Sequence, residues 1–311
     1  LLSQTGGPYR LMIMDTTIDI FQGLRPRLFG IAYRMLGVRA DAEDIVQEAW
    51  LRWQHGGADA ARIPEAWLVT VVTRLAIDRL RGAMLERERY VGPWLPEPLV
   101  EDTADPPEAA LEAAGDISTA FLLMLERLGP EERAVFLLHQ VFDFGYGEVA
   151  AMVGKTEAAC RKILQRARER VRAARPRFAV GREQHLALLA RFVEASRSGE
   201  AARVQELLTE DVSYMGDGGG KAKTTVRSVL GADRVARLVV GIERKWTARG
   251  HGHHQLIEVN GAPGLLTWRD GKPDSVTSLE IRDGRIAGIY VVRNPDKLGY
   301  LPKLGGQLQS S

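Results

Sequence analysis

The stretch Tyr146 to Arg172, YGEVAAMVGKTEAACRKILQRARERVR, most constrains what this chain can fold into. A short amphipathic run ends at Gly154, a polar step Lys155-Thr156 follows, and a longer run without Gly or Pro completes the segment. Helix, Gly-containing turn and second helix is the helix-turn-helix plan. Thr156 is placed to cap the second helix, and Glu157 suits the positive end of its dipole. Cys160, Leu164, Ala167 and Val171 recur at the helical spacing and predict one apolar seam. The opposite face carries Lys162, Gln165 and Arg166, with Arg161 at its edge. Lys155, Arg161, Lys162, Arg166, Arg168, Arg170 and Arg172 meet only Glu157 and Glu169, a charge balance suited to a helix among phosphates. A solvated helix on the surface of a bundle is the alternative. The Gly-centred turn and the small Ala158 and Ala159, which let a helix sink into a major groove, favour DNA.

A length of 311 residues allows two domains or three small ones. Formal net charge is only +2, so the basic segment is local. The single cysteine, Cys160, excludes an internal disulfide, gives no metal-site spacing and reads as a small core residue. No stretch approaches the ~20 apolar residues of a membrane span, and the start lacks a charged-then-apolar pattern. The expectation is a soluble, cytoplasmic protein without membrane contact. Residues 1–17, opening LLSQTGGPYRLMI, show no clear periodicity and are read as an extension outside the fold.

Residues 18–85 read as helical. Ile20, Leu24, Leu28, Ile31 and Met35 mark a first amphipathic helix ended by Gly37. Asp41 is expected to cap a second, DAEDIVQEAWLRW, with Asp41, Glu43, Asp44 and Glu48 in its early turns. After the loop QHGGADAARIP, Pro64 starts a third, in which Thr70, Arg74, Asp78 and Arg81 form one stripe and Leu68, Val72 and Leu75 another.

LFGIAYRMLGVRADAEDIVQEAWLRW, then AWLVTVVTRLAIDRLRG, then the helix-turn-helix, resembles a bacterial sigma factor of the extracytoplasmic-function group. Residues 18–85 resemble the family's second conserved region and residues 117–175 its fourth, over about half the chain. The resemblance implies a subunit, not an enzyme, that binds core RNA polymerase and promoter DNA and initiates transcription, with no cofactor or metal. It assigns Asp41, Glu43, Asp44, Gln47 and Glu48 to the polymerase, and Trp67, Thr70, Arg74 and Arg81 to the promoter element near the start site. It assigns Lys155, Arg161, Lys162, Gln165 and Arg166 to the more distant element in duplex form, where Arg pairs with guanine and Gln with adenine. The loop His55 to Ile63 falls where the family captures a flipped base, and being rich in Gly and Ala it names no side chain for that role.

Residues 86–116 form a Pro-rich, acidic linker. In it Trp94, Leu95, Pro96, Glu97 and Pro98 stand out, because stiff Pro-flanked apolar residues suit docking in a groove. Packing of the Trp on its nearest helix is the alternative. From residue 176 the composition changes. Helices over Glu183 to Ser198, Glu200 to Leu208 and Ala232 to Lys245 precede β-like runs separated by Asn260-Gly261, Asp270-Gly271 and Asp283-Gly284, the dipeptides suited to tight hairpins. In the last runs Leu279 and Ile281, then Ala287, Ile289 and Val291, alternate with their neighbours. Helices followed by a curved antiparallel sheet make an α+β domain over 176–298, with 299–311 a tail.

That order resembles the SnoaL-like branch of the cone-shaped fold shared with nuclear transport factor 2 and ketosteroid isomerase. Two all-α sigma domains followed by this appendage match a subgroup with three short runs. They are WLPEP, then Asp217, Gly218, Gly219, Gly220 and Lys221, then Asn294, Pro295, Asp296, Lys297 and Leu298. The resemblance implies control by the fused domain in place of a separate anti-sigma protein, and a small ligand in the cone. Asp217 reads either as a turn residue or, if buried, as a general base. His251, His253 and His254 are candidates to assist it or hold a metal. We expect NPDKL and the Gly-rich loop to form one rim against which WLPEP docks.

Overall fold

The structure, a computed structural model, describes residues 8–58, 61–100, 117–172, 181–248, 250 and 252–302. In chain order the first helices are α1 (Pro8–Leu36), α2 (Arg39–Arg52), α3 (Pro64–Arg87), α4 (Thr119–Leu125), α5 (Pro130–Gln140), α6 (Tyr146–Val153) and α7 (Glu157–Arg172). They are followed by α8 (Arg182–Arg197), α9 (Ala201–Gln205), β1 (Leu208–Asp217), β2 (Val229–Leu230) and α10 (Ala232–Ala248). The chain continues with β3 (Gly252–Val259), β4 (Ala262–Arg269), β5 (Lys272–Arg282), β6 (Arg285–Val292) and α11 (Pro295–Leu298). Contacts divide the described residues into two compact units, 8–83 with 127–172, and 84–100 with 117–126 and 181–302.

In the first unit, α1 starts at Pro8, so residues 8–17, expected outside the fold, are helical. Gly37, at φ 67°, ends it, donating its N–H to the Tyr33 carbonyl at 2.7 Å. Leu28, Ile31 and Met35 are buried as their spacing predicts. The expected Asp41 cap is corrected: α2 begins at Arg39 without a side-chain cap, and the Asp41 carboxylate instead pairs with Arg79 of α3 at 2.9 Å. Leu68 and Val72 are fully buried on α3. The helix-turn-helix forms as its sequence dictates. Gly154 takes the left-handed conformation at φ 67°, and the Thr156 hydroxyl accepts from the Ala159 N–H at 3.2 Å. Cys160, Leu164, Ala167 and Val171 are buried along α7. Burial pushes the Cys160 thiol pKa up, in keeping with an inert core residue.

The second unit is an α+β cone of the expected kind, with helices on a six-stranded sheet ordered β2-β1-β6-β5-β4-β3. Both residues of Asn260-Gly261, Asp270-Gly271 and Asp283-Gly284 have positive φ, the geometry of two-residue hairpins, and each joins consecutive strands. One pairing differs from expectation: β1 lies parallel to β6, the other pairings being antiparallel. Three hairpins fix the direction of β6, whereas the connection through α10 frees β1 from that alternation. Register shifts in β4 and β5 bend the sheet.

One sheet face meets the helices in a core that includes Leu189, Val204, Val235, Ile286 and Ile289. The other face carries Val259, Leu266, Trp268, Tyr290 and Val292, covered by Leu95, Leu298 and Leu301. β6 is therefore buried on both sides, which accounts for its unbroken run IAGIYVV where alternation was expected.

Candidate functional site

On α7, Arg161, Lys162, Gln165 and Arg166 are exposed on the side opposite the buried seam. Arg161 pairs with Glu157 at 2.7 Å and lies over the Tyr146 ring at 4.8 Å. Gln165 reaches Glu169 at 3.3 Å. Lys155 is half-buried and pairs with Glu131 at 3.0 Å. Its hydrogen bond is the main force holding the Glu131 carboxyl below the usual carboxylate range. The Arg172 side chain lies outside the described residues.

The α3 stripe is engaged within the same unit. Trp67 packs on Trp53 with ring centroids 5.5 Å apart, and only a glycine at position 57 leaves room for its ring. The Thr70 hydroxyl donates back to the Ala66 carbonyl at 2.6 Å. Arg74 donates to the carbonyls of Met152, at 2.9 Å, and Ala151, at 3.0 Å, both on α6. Arg81 pairs with Asp78 at 2.8 Å and with Glu131 at 3.1 Å. Glu131 thus holds one cation from each of the two basic surfaces, Lys155 and Arg81.

On α2, Glu43 pairs with Arg39 and Glu48 with Arg52, each at 2.8 Å, while Asp44 and Gln47 are exposed. In the loop after α2, His55 and Gly56 leave helical geometry and the His55 ring contacts the Leu51 carbonyl at 2.6 Å. Residues 59 and 60 of that loop lie outside the described residues, as do 101–116 and the tail from 303.

The three short runs meet at Asp217, which is fully buried at the end of β1. Its Oδ2 accepts from the Leu95 N–H at 3.0 Å and from Lys297 Nζ at 2.7 Å. Its Oδ1 accepts from the Tyr90 hydroxyl at 2.6 Å and from the Gly219 N–H at 3.0 Å. Lys297 also donates to the Leu95 carbonyl and sits over the Trp94 ring at 4.3 Å. Burial drives the Lys297 pKa down, opposed by the Asp217 charge. Burial, then Asp217, pushes the Tyr90 phenol pKa up.

Asn294 caps α11 through the Asp296 N–H at 3.1 Å and donates to the Tyr90 hydroxyl at 2.9 Å. Lys221 pairs with Asp296 at 2.6 Å. The close approach of Asn294 leaves no space for a Cβ at Gly219. Leu95 has no exposed surface, Pro96, Glu97 and Pro98 are buried, and Trp94, held between Arg87 at 3.6 Å and Lys297, stays half-buried. The linker then pairs with the sheet edge. The Leu99 backbone binds Asn260 twice, its N–H donating to the side-chain Oδ1 at 2.7 Å and its carbonyl accepting from the Asn260 N–H at 2.8 Å, and Val100 bridges Val259.

Sequence reasoning placed Asn260 only in a hairpin turn and did not single out Tyr90 or Tyr300, whose hydroxyl donates to the Pro98 carbonyl. Among the described residues no group of three or more His, Cys, Asp or Glu is arranged to hold a metal ion. His253 and His254 pack on Trp268 and Trp246, and His251 lies outside the described residues. No helix among the described residues is long and apolar enough to cross a membrane.

Comparison with known proteins fits this architecture. The Sigma-70 region 2 family matches residues 20–85 and the Sigma-70, region 4 family matches residues 118–171. The ECF RNA polymerase sigma factor SigJ of Mycobacterium tuberculosis is 42% identical over 292 residues, covering 90% of this chain and 92% of its own. The probable ECF RNA polymerase sigma factor SigI of the same species is 32% identical over 297 residues, covering 94% of this chain and 98% of its own. The crystal structure of M. tuberculosis SigJ superposes with a TM-score of 0.74 at 39% identity, over 91% of this chain and 98% of that one. With both sigma regions matched and relatives similar through the fused α+β domain as well, the chain belongs to the extracytoplasmic-function RNA polymerase sigma factors.

Proposed function

We propose that the chain directs core RNA polymerase to promoters and that its fused domain controls this activity through the linker. In this reading Arg161, Lys162, Gln165 and Arg166 of α7, with Lys155, read the distant promoter element. Trp67, Thr70, Arg74 and Arg81 of α3 face the element that melts near the start site. The acidic row Asp41, Glu43, Asp44, Gln47 and Glu48 steers and registers the chain on polymerase, its exposed pairs contributing little individually.

The observation that carries the control is the buried Asp217 carboxylate, which joins the linker at Leu95 to α11 at Lys297. Residues 94–100 so held have a fixed path, and the DNA-facing arginines Arg74 and Arg81 are engaged by the helix-turn-helix half of their own unit. Releasing the linker frees the chain length between the two DNA-reading parts. Control then lies in the chain itself, and no separate anti-sigma protein is needed.

An isomerase or cyclase using Asp217 as base is the competing reading. Four donors already occupy the two oxygens of that carboxylate, and Asp217 does not line the cone's cavity. A regulator acting without polymerase would need neither the acidic row of α2 nor the second basic helix α3. The test is run-off transcription with core polymerase, comparing the full chain with Leu95→Ala and Asp217→Asn. Leu95→Ala removes the buried apolar side chain that seats the linker and Asp217→Asn alters the carboxylate that binds its backbone, so both weaken one clasp and should change transcript yield several-fold in the same direction. Unchanged yield from both would remove the clasp from the mechanism, and specific DNA binding without any polymerase-dependent initiation would remove the sigma reading.

A further inference from the structure

The second unit encloses a cavity of about 500 Å3 between α8, α10 and the sheet, a size that holds small ligands. Its apolar wall includes Phe192, Leu238, Ile242, Leu265, Ile289 and Val291. Four of its lining residues, Thr224, Thr225, Trp246 and His254, carry a buried side-chain polar atom with no hydrogen-bond partner among the described residues. These atoms are the two threonine Oγ1, the indole Nε1 and the imidazole Nε2. Buried polar groups are otherwise nearly always paired, so four orphans converging on one cavity mark where a ligand would supply partners.

Their chemistry restricts the ligand. The Trp246 indole only donates, and both threonine hydroxyls have a proton to give. His254 Nδ1 lies 3.0 Å from Thr267 Oγ1, and with that hydroxyl donating to it, Nε2 carries the remaining proton as a further donor. The lining also holds four cations, Lys223, Lys245, Arg269 and Arg293, against the carboxylates Glu243 and Asp274. Arg293 and Arg269 share Asp274, at 2.7 and 3.7 Å. A donor-rich, positively biased, apolar-walled cavity is complementary to acceptor oxygens on a hydrocarbon body.

A physical path leads from this cavity to the linker clasp. Thr224 packs on the backbone at both sides of Asp217: its side chain leaves no room for a Cβ at Gly216 and would lie 2.9 Å from one at Gly218. Arg293 reaches from the cavity to the Lys223 carbonyl at 2.5 Å, and its backbone N–H donates to the Asp217 carbonyl at 2.7 Å. Thr224 and Arg293 thus fix the backbone whose carboxylate holds Leu95. We propose that the cavity binds a compact apolar molecule presenting a carbonyl or carboxylate oxygen to Thr224, Thr225 and Trp246, and that its occupancy sets how firmly the linker is held. The second clause rests on the control reading above, the first does not. By linkage, clasp and ligand affect each other's affinity equally.

Isothermal titration of the full chain with three probes of one shape tests the site: 2-acetylnaphthalene, 2-naphthoate and 2-naphthylmethylammonium. The ketone or the carboxylate should bind at one site at least tenfold tighter than the ammonium compound, and which of the two leads identifies a neutral or an anionic acceptor. Thr224→Val combined with Thr225→Val should weaken that binding about tenfold. Trp246→Phe, which keeps the ring and removes the donor, should weaken it in the same direction if the valines disturb folding. Ammonium binding as tight as the acceptors, or no saturable binding of any probe, overturns the site. Hydrogen exchange at residues 94–100 should change several-fold when an acceptor probe saturates the chain. Unchanged exchange with demonstrated binding overturns the link, while the Leu95→Ala run-off result judges the control reading separately.

Discussion

Asp217 and Lys297 form a buried ion pair whose charges are both needed, because each is far from water and each holds the Leu95 backbone. Removing one partner of such a pair leaves the other charge unpaired in the interior and typically costs about 3–5 kcal/mol. Asp217→Asn should therefore lower unfolding stability by about that amount in urea, followed by Trp fluorescence. Lys297→Met leaves the fully buried Asp217 carboxylate without its counter-charge and should cost a comparable amount. Negligible losses in both variants would mean that the pair is not what holds the segment. His254 gives a second residue-level expectation. Burial, then the nearby Arg197 and His253, bring its pKa down from 6.5 to about 4. Below about 6.5 the unfolded chain takes up a proton that the folded chain declines, so stability present at neutral pH is lost as pH falls toward 4. The half-buried position of the ring keeps the effect modest. Thermal melts between pH 7 and pH 5 should show the decline in the parent chain and a flatter profile for His254→Gln. Asp217 and Lys297 were legible because each stands in a distinctive short run. Tyr90 and Tyr300 were not, since each is an ordinary single residue whose partner lies more than a hundred positions away, and Asn260 was legible as a hairpin residue but not as the partner of Leu99.

Among the elements, α7 offers the cleanest test of DNA reading. Each phosphate neutralised by a cation contributes roughly 0.9 to the slope of log affinity against log salt. Replacing Arg166 with Ala should shallow that slope by about 0.9 if the side chain meets a phosphate, or should relax preference at one base pair if it meets a base edge. Glu131→Gln should act in the opposite sense. It frees Lys155 and Arg81 together, so promoter affinity of the holoenzyme should rise and its salt slope should steepen. An unchanged slope in both variants would place the DNA surface elsewhere. Element boundaries were readable wherever a residue's own backbone preference decides them, as at Gly154 and the three hairpin dipeptides. They were not readable where a distant partner decides them. Asp41 looks like a cap and is instead drawn to Arg79, and the parallel pairing of β1 with β6 follows from connectivity rather than from either strand's composition.

At the scale of the chain, a nearly balanced net charge conceals the strongly basic helix α7, and the fold partitions its contacts into two units that do not follow sequence order. Residues 84–100 and 117–126 belong by contact with the sheet domain, although 84–85 fall within the match to the second sigma region and 118–126 within the match to the fourth. The helix α4 shows this: its Thr119 hydroxyl lies 2.9 Å from that of Ser278 on β5. The order of parts was legible because each sigma region and the cone carry local patterns. The cavity's four polar atoms without a partner among the described residues were not, because Thr224, Thr225, Trp246 and His254 converge only after the sheet has curved.

The clasp also has a direction in time. Its three contributors, at 95, 217 and 297, leave the ribosome in that order, so both DNA-reading parts are complete long before the residue that closes the clasp exists. At about 5–20 residues per second, the interval between the emergence of Leu95 and of Lys297 is on the order of ten seconds or more. Throughout it the nascent chain carries both sigma regions without the closed clasp. Translation that stops short of α11, or a protease that removes it, would leave a molecule permanently in that early condition.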